Sequence, residues 1–449
     1  MRSMKLSRRS FLYAAGIGVG ALAAPGVGGL MTSHTGVETS TPRGESLWTS
    51  EIPPLPPVSP LENDRAVDLA IVGSGYTGLA CAYYAKRMRP DWSVIVLESH
   101  RLGSGASSRN SGAVSTAYRG VGTNGMTLRG YERLMRFIEE EEIECDFTRG
   151  GVIELYPSSR QAERVRSSLS SGQKWISASE LEEGMHTPFY AGAVENEEYS
   201  TLHPAKLVAG HVRAAQRLGV DLFENSPVVE VKGGKPAELV TPKARVRANY
   251  VFIATNAHTP RLGLLKYVMM PVHQYTFATR RLTEEEIKIY GVDRWNMRFE
   301  RSVLPVTTHV TPSGHFFIRI VLGYAGHNSC EWKGIGRARN RAAEMFRRRY
   351  PWISDVELTH GWHGVTGHTL LGREIACPVL GENVHVSAAY NGLGVMPGHN
   401  NGYLTACRIT GQPEPDISLL SGASGHIPIP GEFYRSLIFK PFMAVAAPA

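Results

Sequence analysis

Apolar residues follow two rhythms along this chain, and the rhythms change places more than once. "VDLAIVGSG" holds an unbroken apolar run, Leu69 to Val72, which predicts a strand buried on both faces. A small-residue stretch through Ala80, Ala82 and Ala85 predicts a helix, and "VIVLE" a second buried strand closed by Glu98. In "MTLRGYERLMRFIEEEEIECDF" the positions Leu128, Tyr131, Leu134, Met135 and Ile138 recur at helical spacing. "GGVIELYPS" predicts a strand and "SRQAERVRSSLSSG" a polar helix. "HPAKLVAGHVRAAQRLGVDLFENSPVVEVKGG" predicts helix, strand, connection and strand; "ARVRANYVFIATNAHTP" predicts two strands ending at Ala254-Thr255. From about Tyr275 to Tyr324 the runs "QYTFATRRL", "VTTHVTP" and "HFFIRIVLGY" predict an antiparallel sheet. "GRARNRAAEMFRRRYPWI" predicts a helix whose arginines form a solvated face. Strand–helix–strand material therefore occurs early, again around 205–258 and again near 360–410, with β-rich material between. That interleaving, in 449 residues, predicts two discontinuous domains. There is no internal repeat.

Composition changes this picture mainly at the N-terminus. The formal charge of +7 invites a nucleic-acid reading, but Arg2, Lys5, Arg8 and Arg9 supply +4 of it with no acid before residue 32. The remaining +3 shows no basic, aromatic-rich patch, so no nucleic-acid partner is expected. Residues 1–31 read as a targeting segment, with an arginine pair ahead of the apolar stretch Phe11–Ala24 and small residues at Ala21-Leu22-Ala23. "SRRSFL" resembles the twin-arginine export signal, which implies the twin-arginine export machinery as a partner and a periplasmic or otherwise exported location. An uncleaved signal would leave a membrane tether. Residues 32–65, rich in Ser, Thr, Gly and Pro, predict an extended arm on the domain surface with no regular element. Five cysteines, Cys81, Cys145, Cys330, Cys377 and Cys407, show no CxxC and no zinc spacing, so no disulfide framework is expected. His360, His363 and His368 cluster in "THGWHGVTGH" but lack helical spacing and a nearby carboxylate, and no metal is expected.

Candidate chemistry begins at Gly73-Ser74-Gly75-Tyr76-Thr77-Gly78, between the first strand and its helix. Gly73 suits a tight turn, Gly75 a close backbone approach to a pyrophosphate, and Gly78 close packing of helix on strand. Glu98, 20 residues beyond Gly78, is placed to accept hydrogen bonds from ribose hydroxyls and disfavours a 2′-phosphate, leaving NAD or FAD. "LGSGASSRNSGAV", Leu102 to Val114, adds closely spaced small residues, either a flexible loop or a backbone hugging a long cofactor.

"RLGSGASSRNSG" resembles the Gly-x-Gly-Ala-Ser-x-Arg-Asn-x-Gly signature of FAD-dependent oxidoreductases of the D-amino-acid oxidase superfamily. Within it the chain is most similar to the gamma-glutamylputrescine oxidase branch, through "SLWTSEIPPLPP", "LHPAKLVAGHVRAAQRLGVDLFENSPV", "VFIATNAHTPRL", "HGWHGVTGHTLLGREIACPVLGENVHVSAAYNGLGVMPGHNNGYLTACRITG" and "IPIPGEFYRSLIFKPFMA". The resemblance implies an α/β fold, with a discontinuous Rossmann-like FAD-binding domain (66–150, 200–262 and 355–411) and a second, antiparallel β-rich substrate domain (151–199 and 263–354). Residues 412–449 would form a C-terminal tail. It implies FAD contacts from Gly73, Gly75, Tyr76, Thr77, Gly78 and Glu98, and from Gly105, Ala106, Ser107, Asn110 and Gly112. Further contacts are expected from Val228, Ala254, Thr255 and Asn256, and from Trp362, Asn391, Gly392, Leu393, Gly394 and Val395. Non-covalent FAD is expected, since the context of Cys330 does not match the cysteine that binds flavin in some relatives.

The activity implied is oxidation of the C–N bond of a small-molecule amine or amino acid to an imine, with O2 or a quinone accepting the electrons. The alternative is a non-catalytic FAD-binding sensor or assembly subunit. The usual Gly-His-Gly reads Gly392-Leu393-Gly394 here, and Arg319 stands where a strand glycine is expected. Arg319 is the candidate clamp for a substrate carboxylate, against a surface arginine on a polar strand face. Tyr275 is a candidate substrate cap or a packing tyrosine. His368 and His399 are candidates to reach flavin or substrate, and Arg109 with Asn110 to order the flavin loop.

Overall fold

The structure, a computed structural model, describes residues 45–115, 124–289, 291, 297–302, 305–324, 335–420, 422–435 and 437. The expected targeting segment and Cys330 lie outside these residues.

Two eight-stranded sheets dominate the described chain. At the centre of the first, Arg65–Val72 runs parallel to Arg245–Ile253 on one side and Val94–Leu97 on the other. Asp221–Phe223 extends it beyond Val94–Leu97, and Val384–Ala388 lies parallel to the end of Arg245–Ile253. Leu69 and Ile71 enter one apolar core while Ala70 and Val72 enter another. Burial on both faces is why this strand shows no polar alternation. Helices Tyr76–Met88, Pro204–Arg217 and Val395–Thr410 supply Leu79, Leu207 and Met396 to the first core. "ARVRANYVFIATNAHTP" forms one strand, not the expected two. Its first half alternates exposed and buried positions beside the edge hairpin Glu230–Lys232/Ala237–Val240, and its second half is buried continuously. The periodicity changes within a single strand.

The second sheet runs, from one edge, Leu358–His368, Met270–Arg281, His315–Tyr324, Thr307–Val310, Met297–Glu300, Val152–Tyr156, Gly192–Asn196 and Gln173–Ser177. Neighbours are antiparallel except Met297–Glu300 beside Val152–Tyr156, which is parallel. One face, with Tyr275, Phe277, Phe316 and Ile318, packs under helix Ile335–Arg349 through Ala338, Ala342, Met345 and Phe346. That helix's arginines are not all solvated as expected. Arg349 is fully buried and makes a two-pronged pair with Glu300, Nε at 2.6 Å and Nη2 at 2.9 Å. The strand Leu358–His368 pairs along its length with Met270–Arg281, so the segment 355–411 expected in the FAD domain opens with an edge strand of the other sheet.

The arm also departs from expectation. Leu47–Ser50 is a short helix whose cap, Ser46, accepts a hydrogen bond from Thr49 N, and Leu47 and Trp48 are buried rather than on the surface. A serine before Leu-Trp is a helix-start signal that the proline-rich composition after it obscures. Residues 53–62 hold no regular element. Among the described residues no helix is long and apolar enough to cross a membrane.

Candidate active site

A cavity of about 1030 Å³ lies where the C-terminal ends of the first sheet's parallel strands meet the second sheet. Ligands of open parallel sheets gather at such ends, beside the helix N-termini. Gly73 turns there with φ 102°, and a Cβ on it would sit 2.9 Å from Ala254 O. A Cβ on Gly78 would collide with the Gly73 carbonyl, so the helix closes tightly on the turn. Gly75 caps Tyr76–Met88 without a side chain, and Ser107 Oγ accepts from Tyr76 N at 3.1 Å. The Glu98 carboxylate lines the cavity and accepts from Ser74 N (3.0 Å), Ser74 Oγ (2.7 Å) and His100 N (3.1 Å). It is thereby aimed before any ribose arrives.

Most expected cofactor residues converge here. Gly73, Gly75, Tyr76, Thr77, Gly105, Ala106, Ser107, Asn110, Val228, Ala254, Thr255, Asn256, Gly392, Leu393, Gly394 and Val395 all line the cavity with Glu98. Gly78, Gly112, Trp362 and Asn391 do not. Gly78 and Gly112 act behind the wall, the latter (φ 77°) against the Leu202 carbonyl. Asn391 braces a turn, its Oδ1 accepting from Thr369 N at 2.9 Å and its Nδ2 donating to Ala389 O at 2.6 Å. Trp362 belongs to the second sheet and donates to Arg109 O at 3.0 Å, holding the loop rather than the cofactor. Asn110 folds that loop on itself, donating to Ala106 O and Ser107 O and accepting from Gly112 N.

The second sheet contributes Arg319, buried yet lining the cavity. It donates to Gln274 Oε1 and Thr307 Oγ1, both at 2.7 Å, while its Nε finds no acceptor among the described residues. No described carboxylate pairs with it, and burial pulls its pKa down to about 10, which leaves it a cation at neutral pH. Such a charge is costly to bury unless something answers it. Gln274 Nε2 donates to Thr366 Oγ1 (2.8 Å), which bonds His368 Nε2 (2.9 Å), so a polar chain runs from Arg319 to His368. His368 stands at the cavity's edge, near Gly392, without lining it. Burial, aided by the Arg319 charge, lowers its pKa to about 4.

Two candidates fall elsewhere. Tyr275 points to the opposite face from Gln274 and Thr276 and packs with Phe277 and Ile320 under the helix. Strand alternation decides this, and counting from Arg319, opposite Thr276, would have found Gln274 instead. His399 is fully buried between helices, bonded to His211 Nε2 (2.9 Å) and Tyr84 OH (3.1 Å), away from the cavity. Both of its ring nitrogens are engaged by side chains of neighbouring helices, so it packs the core instead of reaching flavin or substrate. Sequence reasoning also missed Phe299, His258 and Arg261 in the lining. The last two follow directly on a parallel strand's end, a recognisable place for ligand groups; Phe299 carries no such signal.

The family model described as FAD dependent oxidoreductase (DAO) matches residues 68–408. The gamma-glutamylputrescine oxidoreductase of Escherichia coli (strain K12) is 25% identical over 449 residues, covering 93% of this chain and 97% of that protein. Glycine oxidase from Geobacillus kaustophilus superposes with a TM-score of 0.66 at 19% identity, over 81% of this chain and 100% of its own. Iminodiacetate oxidase from Chelativorans sp. BNC1 does so with a TM-score of 0.64 at 15% identity, over 81% and 99%. The residues present fit FAD: the glycine cradle a Cβ would fill, the pre-aimed Glu98, and a cavity long enough to run on past Gly392–Val395 to Arg319. The chain belongs to the DAO family of FAD dependent oxidoreductases, and its cofactor is FAD.

Proposed function

We propose that this protein oxidises the C–N bond of a small carboxylate-bearing amine or amino acid to an imine, in an exported location, with O2 or a quinone as final acceptor. The observation that carries the reading is Arg319, a buried cation facing the cavity with no described carboxylate of its own. A substrate carboxylate would answer that charge through charge-assisted hydrogen bonds and so fix one end of the molecule. Bound FAD supplies the hydride acceptor. The chain's residues position and exclude: Gln274 and Thr307 aim the guanidinium, and Phe299 lies 5.7 Å beneath it. The same positive charge disfavours the ammonium form of the substrate and favours the neutral amine that can react. Glycine and iminodiacetate, named for two structural neighbours, are amines with a carboxylate one carbon away.

Export is supported by "SRRSFL" ahead of the apolar stretch. Replacing Arg8 and Arg9 with lysine should hold the protein in the cytoplasm; unchanged export would refute that route. The activity is tested by anaerobic titration of the purified flavoprotein with amino acids and their decarboxylated counterparts. Bleaching of the flavin band by carboxylated amines, and poorly by counterparts lacking the carboxylate, is expected. A flavin that dithionite reduces and no amine does would favour the sensor or assembly role.

A further inference from the structure

Three consecutive carbonyls of the flavin loop each accept a hydrogen bond from a side chain far away in sequence. Ser46 Oγ donates to Ser108 O at 2.9 Å, Trp362 Nε1 to Arg109 O at 3.0 Å, and Trp48 Nε1 to Asn110 O at 2.9 Å. None of these donors lines the cavity, whereas Gly105, Ala106, Ser107 and Asn110 of the same loop do. The loop is thus gripped from behind along the stretch whose other side meets the cofactor.

Two of the three donors come from residues 45–51, and that segment is anchored at its far end as well. Trp48 is fully buried, edge-on to His203 at 4.9 Å and to Phe317 at 5.9 Å. Glu51 pairs with His203 Nε2 at 3.2 Å and accepts from Ser313 Oγ. Seven residues therefore join the loop, the helix Pro204–Arg217 and the second sheet. The loop itself holds only a single 3-10 turn, Ala106–Ser108, too little to fix its own shape.

We propose that residues 45–51 are a strap whose docking is coupled to FAD binding: the strap fixes the loop in its binding geometry, and FAD in turn holds the strap down. Reciprocity follows from linkage, since whatever affinity the strap lends the cofactor the cofactor returns to the strap. The coupling stands on FAD binding alone, whatever the substrate.

The test uses full-length protein, stripped of FAD and reconstituted, with Trp48→Phe, Ser46→Ala and Trp48→Ala. Trp48→Phe keeps an aromatic ring and removes the donor, so FAD affinity should fall about 5-fold, the worth of a typical hydrogen bond. Trp48→Ala should lose more, and if it fails to fold, the two milder variants carry the measurement. The visible circular dichroism of the bound flavin should change in the variants, a signature that general destabilisation would not give. Chymotrypsin should cut after Leu47 or Trp48 at least 10-fold faster in the apoprotein than in the FAD-loaded form. FAD affinity and flavin dichroism unchanged in both milder variants, or cleavage equally fast with and without FAD, overturns the proposal.

Discussion

The two sheets meet the cavity by opposite means. The first offers backbone and small side chains: Gly73 and Gly75 at the turn, Ala254 and Thr255 at the neighbouring strand end, and one carboxylate, Glu98. The second offers a buried guanidinium held by polar side chains, with Phe299 beside it. A surface that recognises by close approach tolerates almost no added atom, while one that recognises by charge depends on single groups whose surroundings can vary. The first kind constrains sequence tightly over a short span; the second leaves its mark only in three dimensions.

Breaking the first surface should have the largest effect. Gly78→Val places side-chain atoms where the Gly73 carbonyl already lies, so the protein should purify without flavin or not fold, readable as the flavin-to-protein absorbance ratio. Steric insertion of this kind into a closed turn costs about 3 kcal/mol. Arg319→Met should leave flavin content intact while kcat/KM for carboxylated substrates falls on the order of 10³-fold, about 4 kcal/mol, as expected for loss of a buried charge-assisted contact. Equal losses for substrates with and without a carboxylate would blur the contrast between the two surfaces. Glu300→Gln strands the buried Arg349 and should destabilise the second sheet by about 3 kcal/mol, seen as a lowered urea midpoint.

The smallest contrast concerns acid. His211 and His399, on helices packed against the first sheet, and His309 and His363, in strands of the second, are held neutral chiefly by burial, with His211 at about 4 and His309 and His363 at about 3. Their folded pKa values lie below the ordinary unfolded value near 6.5, so below that pH the unfolded chain binds more protons. Stability should be level above about pH 6.5 and decline toward pH 4, each histidine contributing up to about 1.4 kcal/mol per pH unit. Urea midpoints at successive pH values check this, and a flat profile would show that the histidines are not the groups that matter.

The sequence made the first surface legible because its turn, helix start and terminal acid fall within Leu69–Glu98 and each has a local physical reason. Cofactor residues named from farther segments, such as Val228 and Gly392, came through resemblance and also reached the cavity. The second surface was legible only at Arg319. Tyr275 packs on the far face, while Gln274, one residue before it and not a sequence candidate, is the one that holds Arg319. Trp362 sits in a strand whose small and polar residues gave no hint that it pairs with Met270–Arg281 rather than with the first sheet. The helix at Leu47 was hidden because proline-rich composition in one part of the arm stood for all of it.

The parallel pairing of Met297–Glu300 with Val152–Tyr156 has a consequence for synthesis on the ribosome. The second sheet cannot close until residue 300 has emerged and lacks its edge until 368, while the first waits for Val384–Ala388. Neither core can be completed from the N-terminal half alone, so the nascent chain carries two open sheets for most of translation. Contacts so distant along the chain slow folding and expose unpaired strand edges, and chaperones should hold this protein until Val384–Ala388 has emerged.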